Sequence, residues 1–156
     1  MQSFYALFAL LIGLIVPLQA AVNNQLKTVI GGSTLLAALV SFAVGILTLL
    51  LMSALTGQKM SGLLSITKAE PWMLLGGVMG AMFVFGTTLI APKLGAASMM
   101  ALIIGGQVVA SLLFDRFGWL GLPLRDLSWP RLLGAGLIVL GALLVNFGDQ
   151  WLGKSS

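Results

Sequence analysis

The stretch LLAALVSFAVGILTLLLMSAL, residues 35–55, contains no charged residue and no proline. A helix of about 20 apolar residues crosses a hydrocarbon core about 30 Å thick, and this stretch has that length. A strand of a membrane β-barrel would be about ten residues long and would alternate apolar with polar side chains, which this run does not do. Residues 35–55 therefore read as a membrane-spanning helix. The rest of the chain has the same character, with 59% hydrophobic and 8% charged residues among 156. Soluble domains carry about 25% charge.

Working outward, four further apolar runs of comparable length appear, at about residues 4–26, 71–90, 96–114 and 131–150. The expected fold is an all-α membrane protein, one transmembrane domain over residues 1–156 with five spanning helices. In the first run Gly31 and Gly32 supply the stop, so the helix can continue to Ile30; Ser33 is placed to cap the second helix. No Lys or Arg precedes the first apolar run, so it reads as an uncleaved span rather than a signal peptide. Residues 56–69 hold Gly57, Lys59, Ser61, Gly62 and Lys68 and read as a loop. Glu70 and Pro71 suit the first turn of the third helix, and Pro92 is expected to end it after Ile90. The step from Ala91 to Gly95 is short enough to make the third and fourth helices antiparallel neighbours.

Aromatic residues mark the membrane boundaries. Trp129 and Trp151 lie about 33 Å apart along a helix, one for each interface, and Tyr5 and Trp72 hold similar end positions. The loop from Asp115 to Pro130 mixes Phe117, Trp119, Leu120, Leu122 and Leu124 with Arg116, Arg125 and Asp126, and reads as a segment in the headgroup layer.

The formal charge of +4 would suggest nucleic acid in a soluble domain; divided among membrane loops it carries topology, with lipids as the partners and no nucleic acid expected. Five helices place Lys59, Lys68, Arg116, Arg125 and Arg131 on one face and Lys27, Lys93 and Lys154 on the other. This small bias favours a cytoplasmic N-terminus only weakly. It fits either a small protein with few charges or one inserted in both orientations. With no Cys and no His, disulfides, thiolate nucleophiles and the usual ligands of haem or zinc are missing, and no metal or cofactor is expected. No nucleophile and base share a face, so an enzyme is the least favoured class.

Pro17 leaves the Gly13 carbonyl without its helical donor and predicts a kink. Just beyond it, Gln19 and Asn23 are four residues apart on one face, beside Asn24; if the helix continues to Ile30, Gln19 lies near mid-membrane, where such amides line a cavity, whereas if it ends at Val22 the asparagines are interfacial caps. Gln107, Ser111 and Asp115 form a second polar stripe, running down the fourth helix into the following loop, with Asp115 a candidate gate or proton site. Asn146 is a weaker candidate, close to the membrane exit. Gly76 with Gly80, and Gly105 and Gly106 in later stripes, are expected to let helix backbones approach. The four acids, Glu70, Asp115, Asp126 and Asp149, all fall at helix ends or in loops, so no central carboxylate is available to exchange protons against a lipophilic cation.

Gln19 and Asn23, the run WMLLGGVMG from Trp72 to Gly80, the turn APKLGAAS from Ala91 to Ser98, IIGGQ ending at Gln107 and FDRFG ending at Gly118 together resemble the YdcZ-like, EamA-related branch of the drug/metabolite transporter superfamily. The resemblance covers nearly the whole chain. It implies a multi-pass protein of the bacterial inner membrane, a transport function, and antiparallel dimers in which ten helices form an inverted repeat around a midplane site. It further implies that Gln19, Asn23 and Gln107 line the substrate cavity, to which the polar stripe adds Ser111 as a candidate. The expected substrate is a neutral or zwitterionic metabolite; the alternative is a non-transporting scaffold that binds a partner or lipid through its glycine seams.

Overall fold

A computed structural model of the chain describes residues 2–153. Lys154, used in the charge count, lies outside them. Among the described residues there is no strand, and five helices are long and apolar enough to cross a membrane. The chain divides into two compact units, Met1–Lys93 and Leu94–Ser156.

In the first unit, α1 covers Gln2–Val29 and runs without interruption through Pro17, Gln19 and Asn23. It takes the longer of the two courses the sequence allowed. Lys27 sits in its last turn, where a cation complements the helix dipole. Gly31 and Gly32 then adopt φ of 82°, and the Gly32 N–H donates to the Lys27 carbonyl at 2.8 Å, a left-handed exit that suits glycine. Ser33 caps α2 (Thr34–Leu55), its Oγ accepting from the Leu36 N–H at 3.2 Å. α1 lies against α2. The buried apolar residues of these helices are small: Ala20 on α1, Ala37 and Ala38 on α2. Without a hydrophobic drive in lipid, close approach of this kind is what holds helices together.

Pro17 has no N–H for the Gly13 carbonyl. Pro17→Ala supplies that donor and is expected to straighten α1, read as a longer distance between spin labels at its two ends. An unchanged distance would show that Pro17 imposes no bend.

The stretch 56–69 departs from the expected loop. Met60–Lys68 winds as a 3₁₀ helix, followed by a second 3₁₀ turn over Pro71–Leu74 that leads into α3 (Leu75–Leu94). Residues 60–68 contain no proline, so successive i→i+3 bonds close locally and satisfy backbone groups beside an apolar medium. Glu70 and Pro71 thus open the 3₁₀ turn rather than the first turn of α3, which begins only at Leu75, and the Glu70 Oε2 accepts from the Trp72 indole N–H at 2.6 Å. α3 also continues beyond the expected stop at Ile90, passing through Pro92 to Leu94. Pro92 removes one bond in the last turn, too late to break the helix. Gly95, at φ 81°, is the actual stop.

The second unit is a pair of packed helices, α4 (Ala96–Phe117) and α5 (Trp129–Trp151). Polar ties near both ends show them to be antiparallel. At one end Asn146 Nδ2 donates to the Ser98 carbonyl at 3.2 Å, and at the other Arg131 binds Asp115. α4 extends three residues past the expected Phe114, because nothing stops it until Gly118 at φ 61°. Asp115 therefore belongs to the last turn of α4 rather than to the loop. In the connection a tight turn at Trp119–Gly121, with Leu120 in the left-handed region at φ 58°, is followed by a return in which the Arg125 N–H donates to the Asp115 carbonyl at 2.8 Å. Trp119 stacks on Phe117 at 5.2 Å between ring centroids.

Candidate functional site

The first unit carries Gln19 and Asn23. Gln19 lines a hollow of about 180 Å³ with Ser41, Phe42, Gly45, Ile46, Leu49 and Val84. Ser41 and Gly45 are one turn apart on α2, and their small side chains leave room beside Gln19. The hollow thus has an amide and a hydroxyl among mainly apolar groups, and can orient a small molecule by hydrogen bonds.

Asn23 is in a different environment, although it is only one turn further along α1. It is 4% exposed, and its Nδ2 has no hydrogen-bond partner among the described residues. Leaving a buried donor unmet costs about 1–3 kcal/mol. The other buried polar side chains are satisfied: Thr87 Oγ1 and Thr88 Oγ1 both donate to the Val84 carbonyl, at 3.1 and 2.8 Å. Thus α3 meets its buried hydroxyls within its own backbone, while α1 holds an amide whose donor awaits a partner.

The second unit carries the other expected residues. Ser111, Asp115 and Arg131 line a hollow of about 320 Å³ together with Val108, Leu112, Gly134, Ala135 and Ile138. Gln107, one turn before Ser111, is exposed and does not line it. Asp115 forms an ion pair with Arg131, whose Nη1 also donates to the Asp126 carbonyl at 3.3 Å. The pair is part-buried, with Arg131 and Asp115 side chains 34% and 24% exposed. A second pair, Arg116 with Asp126 at 3.6 Å, is exposed and of little energetic weight.

Of the four glycines singled out for packing, two face neighbours within their own unit. A Cβ at Gly80 would lie 3.6 Å from Phe42, and one at Gly105 would lie 3.7 Å from the Ala142 Cβ. At Gly76 and Gly106 a Cβ would meet nothing within 4 Å.

Residue polarity along the sequence does not mark Arg131 as Asp115's partner. The available signal was a basic residue opening one helix just after an acid had closed the one before. Asn146, close to the membrane exit, is likewise not marked by polarity alone. In the structure Asn146 bonds both Ser98 and Ala142 carbonyls and ties α5 to α4.

The family described as "Putative inner membrane exporter, YdcZ" matches residues 4–144. The "Inner membrane protein YdcZ" of Escherichia coli (strain K12) is 36% identical over 80 residues, 51% of this chain and 53% of that relative, so the match spans about half of the relative's length. No solved structure matches the chain.

Proposed function

From the premise that the chain belongs to the YdcZ family and is a multi-pass protein of the bacterial inner membrane, we propose that it is an exporter of a small neutral or zwitterionic metabolite. The observation that carries this reading is Asn23, buried to 4% exposure with an unmet donor one turn from the hollow that Gln19 lines. A buried amide in lipid surroundings needs a partner, and a substrate with hydrogen-bond acceptors supplies one.

The working unit in this proposal is two antiparallel copies. Support comes from the weak charge bias, from Gln107 standing exposed near the middle of α4, and from the open surfaces beside Gly76 and Gly106. An amide on the outer face of a membrane helix is unfavourable unless another helix covers it. The inverted pair then alternates access to a site near the midplane. No central carboxylate serves this site, which fits a substrate other than a lipophilic cation.

Two measurements test the reading. A thermal-shift screen of neutral and zwitterionic metabolites on the purified chain should find a compound that stabilises the wild type and not Gln19→Leu. Equal stabilisation of both proteins would remove Gln19 from the site and favour the scaffold alternative. Cysteines replacing Lys59 and Lys93, one at a time, should each be labelled in part from outside intact cells. Labelling of only one of them would exclude insertion in both orientations.

A further inference from the structure

The hollow at Asp115 and Arg131 has a composition unlike that beside Gln19. We propose that it is a binding site for a glycerophospholipid with a phosphoethanolamine headgroup. This goes beyond the exporter reading and does not depend on it.

The place of the ion pair comes first. Asp115 closes α4 and Arg131 opens α5, so both stand at the same membrane boundary, beside Trp119 and Trp129. Tryptophan favours the headgroup level of a bilayer. The two charges are therefore held where lipid phosphate and ammonium groups lie, and both remain partly exposed.

The pair also has unused bonding capacity. Arg131 spends one Nη2–H on Asp115 Oδ2 and one Nη1–H on the Asp126 carbonyl, leaving three of the five guanidinium donors. Asp115 keeps its second carboxylate oxygen. A headgroup carrying both charges can join without breaking the pair, with phosphate on the free guanidinium donors and ammonium N–H on the free oxygen. Both new bonds are charge-assisted. Phosphocholine has the same charges but no ammonium N–H for Asp115. An anionic headgroup without an amine satisfies Arg131 and meets repulsion from Asp115.

Beneath the pair the hollow turns apolar. Val108, Leu112 and Ile138 line it toward the middle of the span, and the lack of bulk at Gly134 and Ala135 leaves it open. An acyl chain fits this floor, and a water-soluble zwitterion leaves it unfilled. Ser111, exposed one turn below Asp115, can donate to an ester carbonyl at the depth of the glycerol.

The test uses native mass spectrometry of the full-length chain in mild detergent, offered dioleoyl phosphatidylethanolamine, phosphatidylcholine and phosphatidylglycerol in equal amounts. The expected result is about tenfold preferential retention of phosphatidylethanolamine, lost in Asp115→Asn and Arg131→Gln. Should those variants misfold, Gly134→Leu decides, because a Cβ there meets nothing within 4 Å and the side chain would occupy the hollow while both charged residues are kept. Its retention of phosphatidylethanolamine should fall to the level of phosphatidylcholine. Equal retention of the three lipids by the wild type, or undiminished retention by Gly134→Leu, would overturn the proposal. So would competition by millimolar glycerophosphoethanolamine as strong as that of the lipid, since the site would then take a soluble zwitterion.

Discussion

Asn23→Leu is expected to hold or raise the thermal stability of the purified chain while removing its ability to bind substrate. In most membrane proteins the loss of a buried amide deletes a hydrogen bond between helices and strands its partner, at a cost of about 0.6–2 kcal/mol. Here Asn23 Nδ2 has no such partner among the described residues, so leucine deletes no bond and relieves an unmet donor worth about 1–3 kcal/mol. The two side chains are of similar size, so neither void nor overpacking is expected. If the amide instead belongs to substrate, binding falls in a protein that is no less stable. Melting in detergent, compared with ligand-induced stabilisation by whichever compound the screen identifies, separates these effects. A clear loss of stability with binding retained would mean that Asn23 is structural.

The second large effect is expected at Gly105. A Cβ there sits 3.7 Å from the Ala142 Cβ, an ordinary contact, so Gly105→Ala should be tolerated. Gly105→Leu has no room against α5 and should force the helices apart, costing about 1–3 kcal/mol or more. Gly106→Leu is the control, because a Cβ at Gly106 meets nothing within 4 Å and the chain's own stability should change little. Thermal denaturation of the three variants in dilute detergent gives the comparison. Equal losses for the two leucine variants would contradict the α4–α5 seam described above.

The spanning helices were legible because lipid imposes a single strong demand, a long apolar helix, and residues 35–55 meet it without ambiguity. Their ends were less so. Hydropathy reports which solvent a segment prefers, whereas helix ends are set by backbone hydrogen bonding, which Gly95 and Gly118 stop and Pro92 does not. The 3₁₀ helix at Met60–Lys68 was hidden for a related reason, since its polar composition resembles that of a loop.

The candidate site was visible as chemistry and only partly as geometry. Gln19, Asn23 and Gln107 stand out as amides in apolar spans. Spacing alone could not tell which would be buried, because a step of four residues turns the helix by about 40° relative to its starting face. That turn carries Asn23 from Gln19's face toward Ala20's, on the buried side of α1, and leaves Gln19 exposed. The Asp115–Arg131 pair depends on how two helices meet across a folded connection, a relation that no local spacing encodes.

A hydrated cavity beside α1 is directly measurable, because the sequence contains no cysteine. Single cysteines at positions 18, 19 and 22, in place of Leu18, Gln19 and Val22, can be challenged in native membranes with a membrane-impermeant thiol reagent. Position 19 should react far faster than positions 18 and 22. Reaction at position 19 as slow as at its two neighbours would place Gln19 in lipid or in a dry helix seam and contradict the exporter reading.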